Sequence, residues 1–183
     1  MIGIMLMAVE VESDKEKVTY IYKKYYKLIC HIVSKRVSNP DDVQDLVQES
    51  MLRIVKNIQY IDLNDVMRSK YFFSTIARNV CNDYLNKNQK DLDNLEEYDP
   101  EETVDSAEET VVDEYAYKEI REVLNQLDER YRDVCILKYV YEYKEKEIAD
   151  MLGISPKVVS QRIFKGKQET RKLVKELIEK RGL

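Results

Sequence analysis

The chain has 183 residues, enough for one domain or two small ones. Charged residues make up 36% and hydrophobic ones 44%, with no Trp, 4 Gly and 3 Pro, a balance that excludes a membrane-embedded or disulfide-scaffold protein and suits a soluble helical one. The net charge of −5 speaks by itself against a nucleic-acid binder, but the placement of charge matters more than the total.

The opening run, Met1 to Val9, is apolar, lacks a basic leader and is too short to span a bilayer. Residues 1–14 are therefore expected to be a disordered lead-in, with Met5 or Met7 as alternative starts. A first helix is predicted over Lys15 to Val37, where Val18, Ile21, Tyr22, Tyr25, Ile29, Ile32, Val33 and Val37 recur at helical spacing. Ser38-Asn39-Pro40 breaks it, and Asp41 or Asp42 opens a second helix that runs to about Tyr60. Val43, Leu46, Val47, Ser50, Met51, Ile54 and Ile58 form its core face. Asp45, Gln48, Glu49 and Leu52 follow i, i+3, i+4, i+7 spacing on the other side, which suits a partner surface; an exposed Leu in a polar stripe is the plain alternative.

Ile61 to Lys70 reads as a loop carrying Arg68 and Lys70, followed by a third helix from about Ser69 to Asn88. Phe72, Phe73, Ile76, Ala77, Val80, Tyr84 and Leu85 make its inner face. Arg78, Asn79, Asn82, Asp83 and Lys87 fall at or near its outside, where they could hold single-stranded bases or simply face solvent. From Asp91 to Glu114 every charged residue is acidic, which predicts a flexible acidic linker without preorganised geometry for catalysis. Cys30, Cys81 and Cys135 lack metal-like spacing and lie in apolar helical patterns, so they read as buried thiols of a cytoplasmic protein. His31 stands alone. No metal, cofactor or catalytic residue is expected.

A further helix carries Ile120, Val123, Leu124 and Leu127, and another spans Glu129 to Tyr141. A helix ending at Leu152, then Gly153-Ile154-Ser155-Pro156, then a basic helix, makes a helix-turn-helix. Gly153 suits a left-handed stop, Ser155 a cap and Pro156 a first helical position. Val159, Ile163, Gly166, Thr170 and Leu173 point inward; Lys157, Gln161, Phe164, Lys165 and Gln168 point away, with Val158, Ser160 and Arg162 on the flanks. Lys157 through Lys175 holds seven basic residues against Glu169 alone, a charge pattern fit for phosphate contacts.

Asp42-Val-Gln-Asp-Leu-Val-Gln-Glu-Ser-Met-Leu-Arg-Ile-Val, Phe72-Phe-Ser-Thr-Ile-Ala-Arg-Asn-Val-Cys-Asn-Asp-Tyr-Leu, Leu127-Asp-Glu-Arg-Tyr-Arg-Asp-Val and the helix-turn-helix follow one another in an order that resembles the extracytoplasmic-function sigma factors of bacterial RNA polymerase, the sigma-70 type with regions two and four only. The resemblance implies an all-α fold of two small helical domains, residues 15–90 and 115–183, joined by the acidic linker 91–114. It implies a non-enzymatic specificity subunit that binds core RNA polymerase through Asp45, Gln48, Glu49 and Leu52. Arg68, Lys70, Arg78, Asn79, Asn82, Asp83 and Lys87 would face the single-stranded minus-ten element. Ser155, Lys157, Val158, Ser160, Gln161, Arg162 and Lys165 would face the double-stranded minus-thirty-five element. It also admits an anti-sigma protein that masks both regions. The pattern departs from the family at Phe72 (usually Trp), Asp128 (often Pro), Val158 (usually Thr), Gly166 (usually Ala), and after Asp83, where a run of Arg is thinned. Without the resemblance, a stand-alone helix-turn-helix regulator, dimeric on paired half-sites, remains the other reading of the same residues.

Overall fold

A computed structural model describes residues 1–90 and 123–181, and among these it is helical with no strand. The helices are α1 (Ile2–Met7), α2 (Glu12–Ser34), α3 (Pro40–Lys56), α4 (Val66–Lys90), α5 (Glu129–Tyr139), α6 (Glu145–Leu152) and α7 (Pro156–Arg181), with a 3-10 turn at Ile58–Tyr60 and helical residues at 123–125. The acidic stretch 91–114 lies outside the described residues.

Local chemistry accounts for the boundaries. Asn39 caps α3: its Oδ1 accepts the Asp41 amide at 3.0 Å, and Pro40 takes the first helical position, so the helix opens one residue before the predicted aspartates. At its other end Asn57 Nδ2 donates to the Arg53 carbonyl at 2.8 Å, and the 3-10 turn carries Ile58 back into the core. Asp62 and Asp65 build the following loop by accepting the amides of Asn64 and Arg68 at 3.0 and 2.9 Å. The second bond starts α4 three residues ahead of Ser69, whose hydroxyl instead donates to the Asp62 carbonyl at 2.7 Å.

The expected lead-in differs most from the structure. Ile2–Met7 is a helix, and Met5, 1% exposed, is inserted against α2 and α3. Burying this unbranched thioether contributes about 1.5–3 kcal/mol toward holding the segment on the core.

Helices α2, α3 and α4 pack around Val18, Ile21, Ile29, Val47, Met51, Ile54, Phe72, Phe73 and Ile76, all buried. The Tyr25 ring meets Phe73 edge-on at 4.7 Å between centroids. In the C-terminal half, α7 packs on α5 and α6 through Val159 and Ile163, over Val134, Leu137, Ile148, Met151 and Leu152. The inward face predicted for α7 is the one that is buried, with Thr170 and Leu173 half-buried at its rim.

The two groups of helices do not stand apart. Their buried residues form one continuous cluster, with the Phe72 and Tyr143 rings 6.3 Å apart and Tyr71 and Tyr141 5.4 Å apart. Tyr143 also donates to the Tyr60 carbonyl at 3.1 Å.

Candidate polymerase and nucleic-acid interface

The four residues predicted to form a ridge on α3 differ in exposure. Asp45 and Glu49 are exposed, while Gln48 and Leu52 are half-buried. Leu52 is not a free-standing apolar residue: it is partly buried against the core. Arg53, next along the helix, donates to Glu49 Oε1 at 3.2 Å, to Asp83 Oδ2 at 3.4 Å and to the Leu152 carbonyl at 3.2 Å.

On α4 the structure corrects one expectation outright. Arg78, placed at or near the outside from its helical angle, is 5% exposed. The second half of the chain covers it, and its charge is matched there. Arg78 Nη2 donates to both Asp133 oxygens at 3.1 Å and to Thr75 Oγ1 at 2.9 Å, and its Nε lies 3.7 Å from Glu129 Oε1. Tyr71 donates its hydroxyl to Asp133 at 2.8 Å. Burial alone would lower the Arg78 pKa, but Asp133, Tyr71 and Glu129 outweigh it and hold the group above its ordinary value. Tyr71 is raised well above its ordinary range by burial and then by the adjacent carboxylate, so it stays a hydroxyl donor.

The other predicted minus-ten residues divide in two. Asn79 donates to the Leu152 carbonyl at 2.6 Å and Asn82 to Glu129 Oε1 at 3.1 Å, both from α4 to the C-terminal half. Arg68 lies with its guanidinium 4.1 Å over the Tyr143 ring. Asp83 accepts from Arg53 and Asn79, each at 3.4 Å, within the N-terminal half. Lys70 is half-buried and Lys87 exposed. Arg36, Arg53, Glu129 and Asp133 were not singled out from the sequence. The partners of Arg78 and Arg36 lie 55 and 93 positions away along the chain, a separation no helical spacing rule reaches.

The helix-turn-helix forms as the turn chemistry dictates. Gly153 has φ +66, and Ile154 N–H returns to the Ala149 carbonyl at 3.1 Å. Ser155 Oγ accepts the Val158 amide at 3.3 Å. Lys157, Gln161 and Lys165 are exposed, with Val158 and Arg162 half-buried beside them. Ser160 donates to Glu145 on α6 and to the Pro156 carbonyl, which turns its hydroxyl toward the preceding helix. Arg162 has its pKa lowered, first by burial and then by the nearby Arg130. Phe164 is 62% exposed amid these basic and amide side chains, and nothing in the fold requires an aromatic ring there. Asp128, which stands where the family often has Pro, caps α5 by accepting the Arg130 amide at 2.9 Å. Among the described residues no helix is long and apolar enough to cross a membrane, and no group of His, Cys, Asp or Glu could hold a metal.

A three-helix unit bearing a polar ridge, followed by a helix-turn-helix with a basic outer face, has the architecture of a DNA-binding protein. Family models for sigma-70 region 2 and for sigma-70 region 4 match residues 21–91 and 117–169, together about two thirds of the chain. The chain belongs to the extracytoplasmic-function sigma factors, alternative sigma factors that direct transcription initiation by RNA polymerase. It is 28% identical to the RNA polymerase sigma factor SigV of Bacillus subtilis (strain 168) over 129 residues, covering 70% of this chain and 74% of the relative. It is 27% identical to the ECF RNA polymerase sigma factor SigW of the same organism over 183 residues, covering 91% and 93%. A solved structure of the sigma factor RpoE with the anti-sigma factor NepR from Bartonella quintana aligns over 90% of this chain and 98% of that one, at 18% identity and a TM-score of 0.42. The stand-alone regulator reading gives way to this family membership.

Proposed function

We propose that the two halves divide the work of promoter recognition along the lines set by the surface chemistry. Asp45, Gln48, Glu49 and Leu52 form the surface that docks core RNA polymerase. The first turns of α4, with Arg68 and Lys70, and the polar face farther along that helix hold the minus-ten element as single strand. Helix α7 reads the minus-thirty-five element in the major groove, with Lys157, Gln161, Phe164 and Lys165 toward the DNA and Ser155, Val158, Ser160 and Arg162 framing them. Residues 15–90, 91–114 and 115–183 are the functional units. The protein makes and breaks no covalent bond; unstacking of promoter bases is offset by the contacts the captured bases gain. It works in the cytoplasm, and an anti-sigma protein is a partner of the kind that would mask its two halves.

The observation that carries this reading is the outer face of α7, where an exposed basic and amide-bearing helix follows a turn closed by a left-handed glycine. Amides and cations at such positions pair with base edges and phosphates, and Phe164 suits contact with a thymine methyl group.

Run-off transcription with core bacterial polymerase tests it, using genomic fragments that include the region upstream of this gene. Transcripts should start only when the protein is added. The Leu52→Arg variant, whose side chain can fold outward, should keep its helical circular dichroism and lose the transcripts. Full activity of that variant would remove the ridge from the docking surface.

A further inference from the structure

Helix α2 carries a charged face that neither the core nor the surfaces assigned above use. Between Glu16 and Asp41 the sequence has six cations and no acidic residue, in a chain whose net charge is −5. Tyr20, Lys23, Lys24 and Lys27 fall at i, i+3, i+4 and i+7, and His31 and Lys35 continue the same line. All six are exposed, on the side of α2 opposite the buried Ile21, Tyr25 and Ile29. Like charges one helical turn apart, as at Lys23 and Lys27, destabilise a helix. Neither of these ammonium groups has an ion-pair or hydrogen-bond partner among the described residues. Lys24 is held by a neutral group: it donates to the Tyr20 hydroxyl at 2.6 Å and lies 5.1 Å over that ring. The positive charge of the face is therefore left for a ligand.

We propose that this face is a second nucleic-acid contact, which takes the sugar-phosphate backbone of the promoter single strand where it leaves the polar face of α4. The proposal rests on the assignment of that face of α4 to DNA. Two observations select nucleic acid over an acidic protein surface. The stripe is continuous with α4, because Arg36 at the C-terminal end of α2 donates to Asn82 Oδ1 at 3.3 Å. It also lacks the apolar anchor on which a protein interface is centred. Its one large ring, Tyr20, is 42% exposed and flanked by lysines, the combination that stacks a base between phosphate contacts. From Tyr20 to Arg36 the helix rises about 24 Å. At about 3.4 Å per nucleotide that length serves about seven phosphates. Contacts of this kind hold a strand in place without reading its sequence.

The test uses polymerase reconstituted from core enzyme and the full chain, with a labelled promoter fragment found by run-off transcription. Promoter affinity is measured by fluorescence anisotropy across a tenfold range of KCl. In the variant combining Lys23→Gln, Lys24→Gln and Lys27→Gln, the slope of log K against log salt should become shallower by about 2, roughly 0.7 for each lost single-strand phosphate contact. Wild type should thus lose about a hundredfold more affinity than the variant over that range. Helical circular dichroism should be unchanged and Tm no lower, since a like-charge repulsion is relieved, and binding to core enzyme should be equal. Lys70→Gln with Lys87→Gln reads the α4 face in parallel and should flatten the slope as well. A slope that responds to the α4 pair and not to the α2 triple would overturn the second contact. Weaker binding of the triple variant to core enzyme, with the slope unmoved, would overturn it too and give the stripe to a protein partner. A slope that responds to the triple variant alone would keep the contact on α2 and place the fault in the assignment of α4.

Discussion

Gly166 lies in the middle of α7, where helix propensity favours Ala by about 1 kcal/mol and where the family usually has Ala. The structure predicts the opposite result for this chain. A Cβ at position 166 would stand 2.5 Å from Cys135 Sγ and 3.5 Å from both the Cβ and the carbonyl oxygen of Tyr131. The sulfur would have to retreat by roughly 1 Å to reach ordinary van der Waals distance. It sits on a short side chain, 3% exposed, between α5 and α7. Overpacking of this kind costs about 1–3 kcal/mol, so Gly166→Ala should lose about 1 kcal/mol net after the propensity gain. Cys135→Ala alone should cost about 1 kcal/mol by emptying the sulfur's space. In the double variant the new methyl fills that space, and the two changes should couple favourably by about 2 kcal/mol. Thermal unfolding followed by far-ultraviolet circular dichroism resolves this, since 1 kcal/mol shifts Tm by about 2–4 °C in a chain of this size. If Gly166→Ala raises Tm by itself, the close approach of α7 to α5 is wrong and so is the account of why Gly stands there.

Glu142 holds φ +58 in the turn between α5 and α6, a conformation that costs a side-chain-bearing residue about 1–2 kcal/mol. Glu142→Gly should therefore raise Tm by a few degrees, and a decrease would show that the side chain offsets the strain. Burial pushes the Cys81 and Cys135 thiols up to about 11. Relative to an ordinary thiol they hold about a hundredfold less thiolate at pH 8.5, so iodoacetamide should modify the half-buried Cys30 first. Equal labelling of all three in the folded protein would refute their burial, while urea should erase the difference. Phe164→Ala should leave the free energy of unfolding within about 0.5 kcal/mol of wild type, because the ring is exposed, yet reduce run-off transcription at promoters read through a thymine methyl. Unchanged transcription would remove the ring from the reading face.

The elements of this fold are written locally. Pro40 after Asn39, Gly153 before Ser155 and Pro156, and the apolar spacings of α2, α3 and α7 each act within one or two helical turns, so they could be read in order along the chain. The order of those stretches also carried the family, because it repeats a succession of motifs that depends on no contact between them. Met5 escaped this reading, since an apolar hexapeptide is a helix only when a core receives it. So did Arg78. Its helical angle points away from the core of its own half, and only the arrival of Asp133 and Glu129 from beyond residue 91 turns that outside into an interior. Arg36, Arg53 and the Leu152 carbonyl became part of the site for the same reason. Periodicity determines which side of a helix is polar; what that polar side meets is decided by tertiary packing, because charge pairing acts through space between segments whose sequence separation carries no signal.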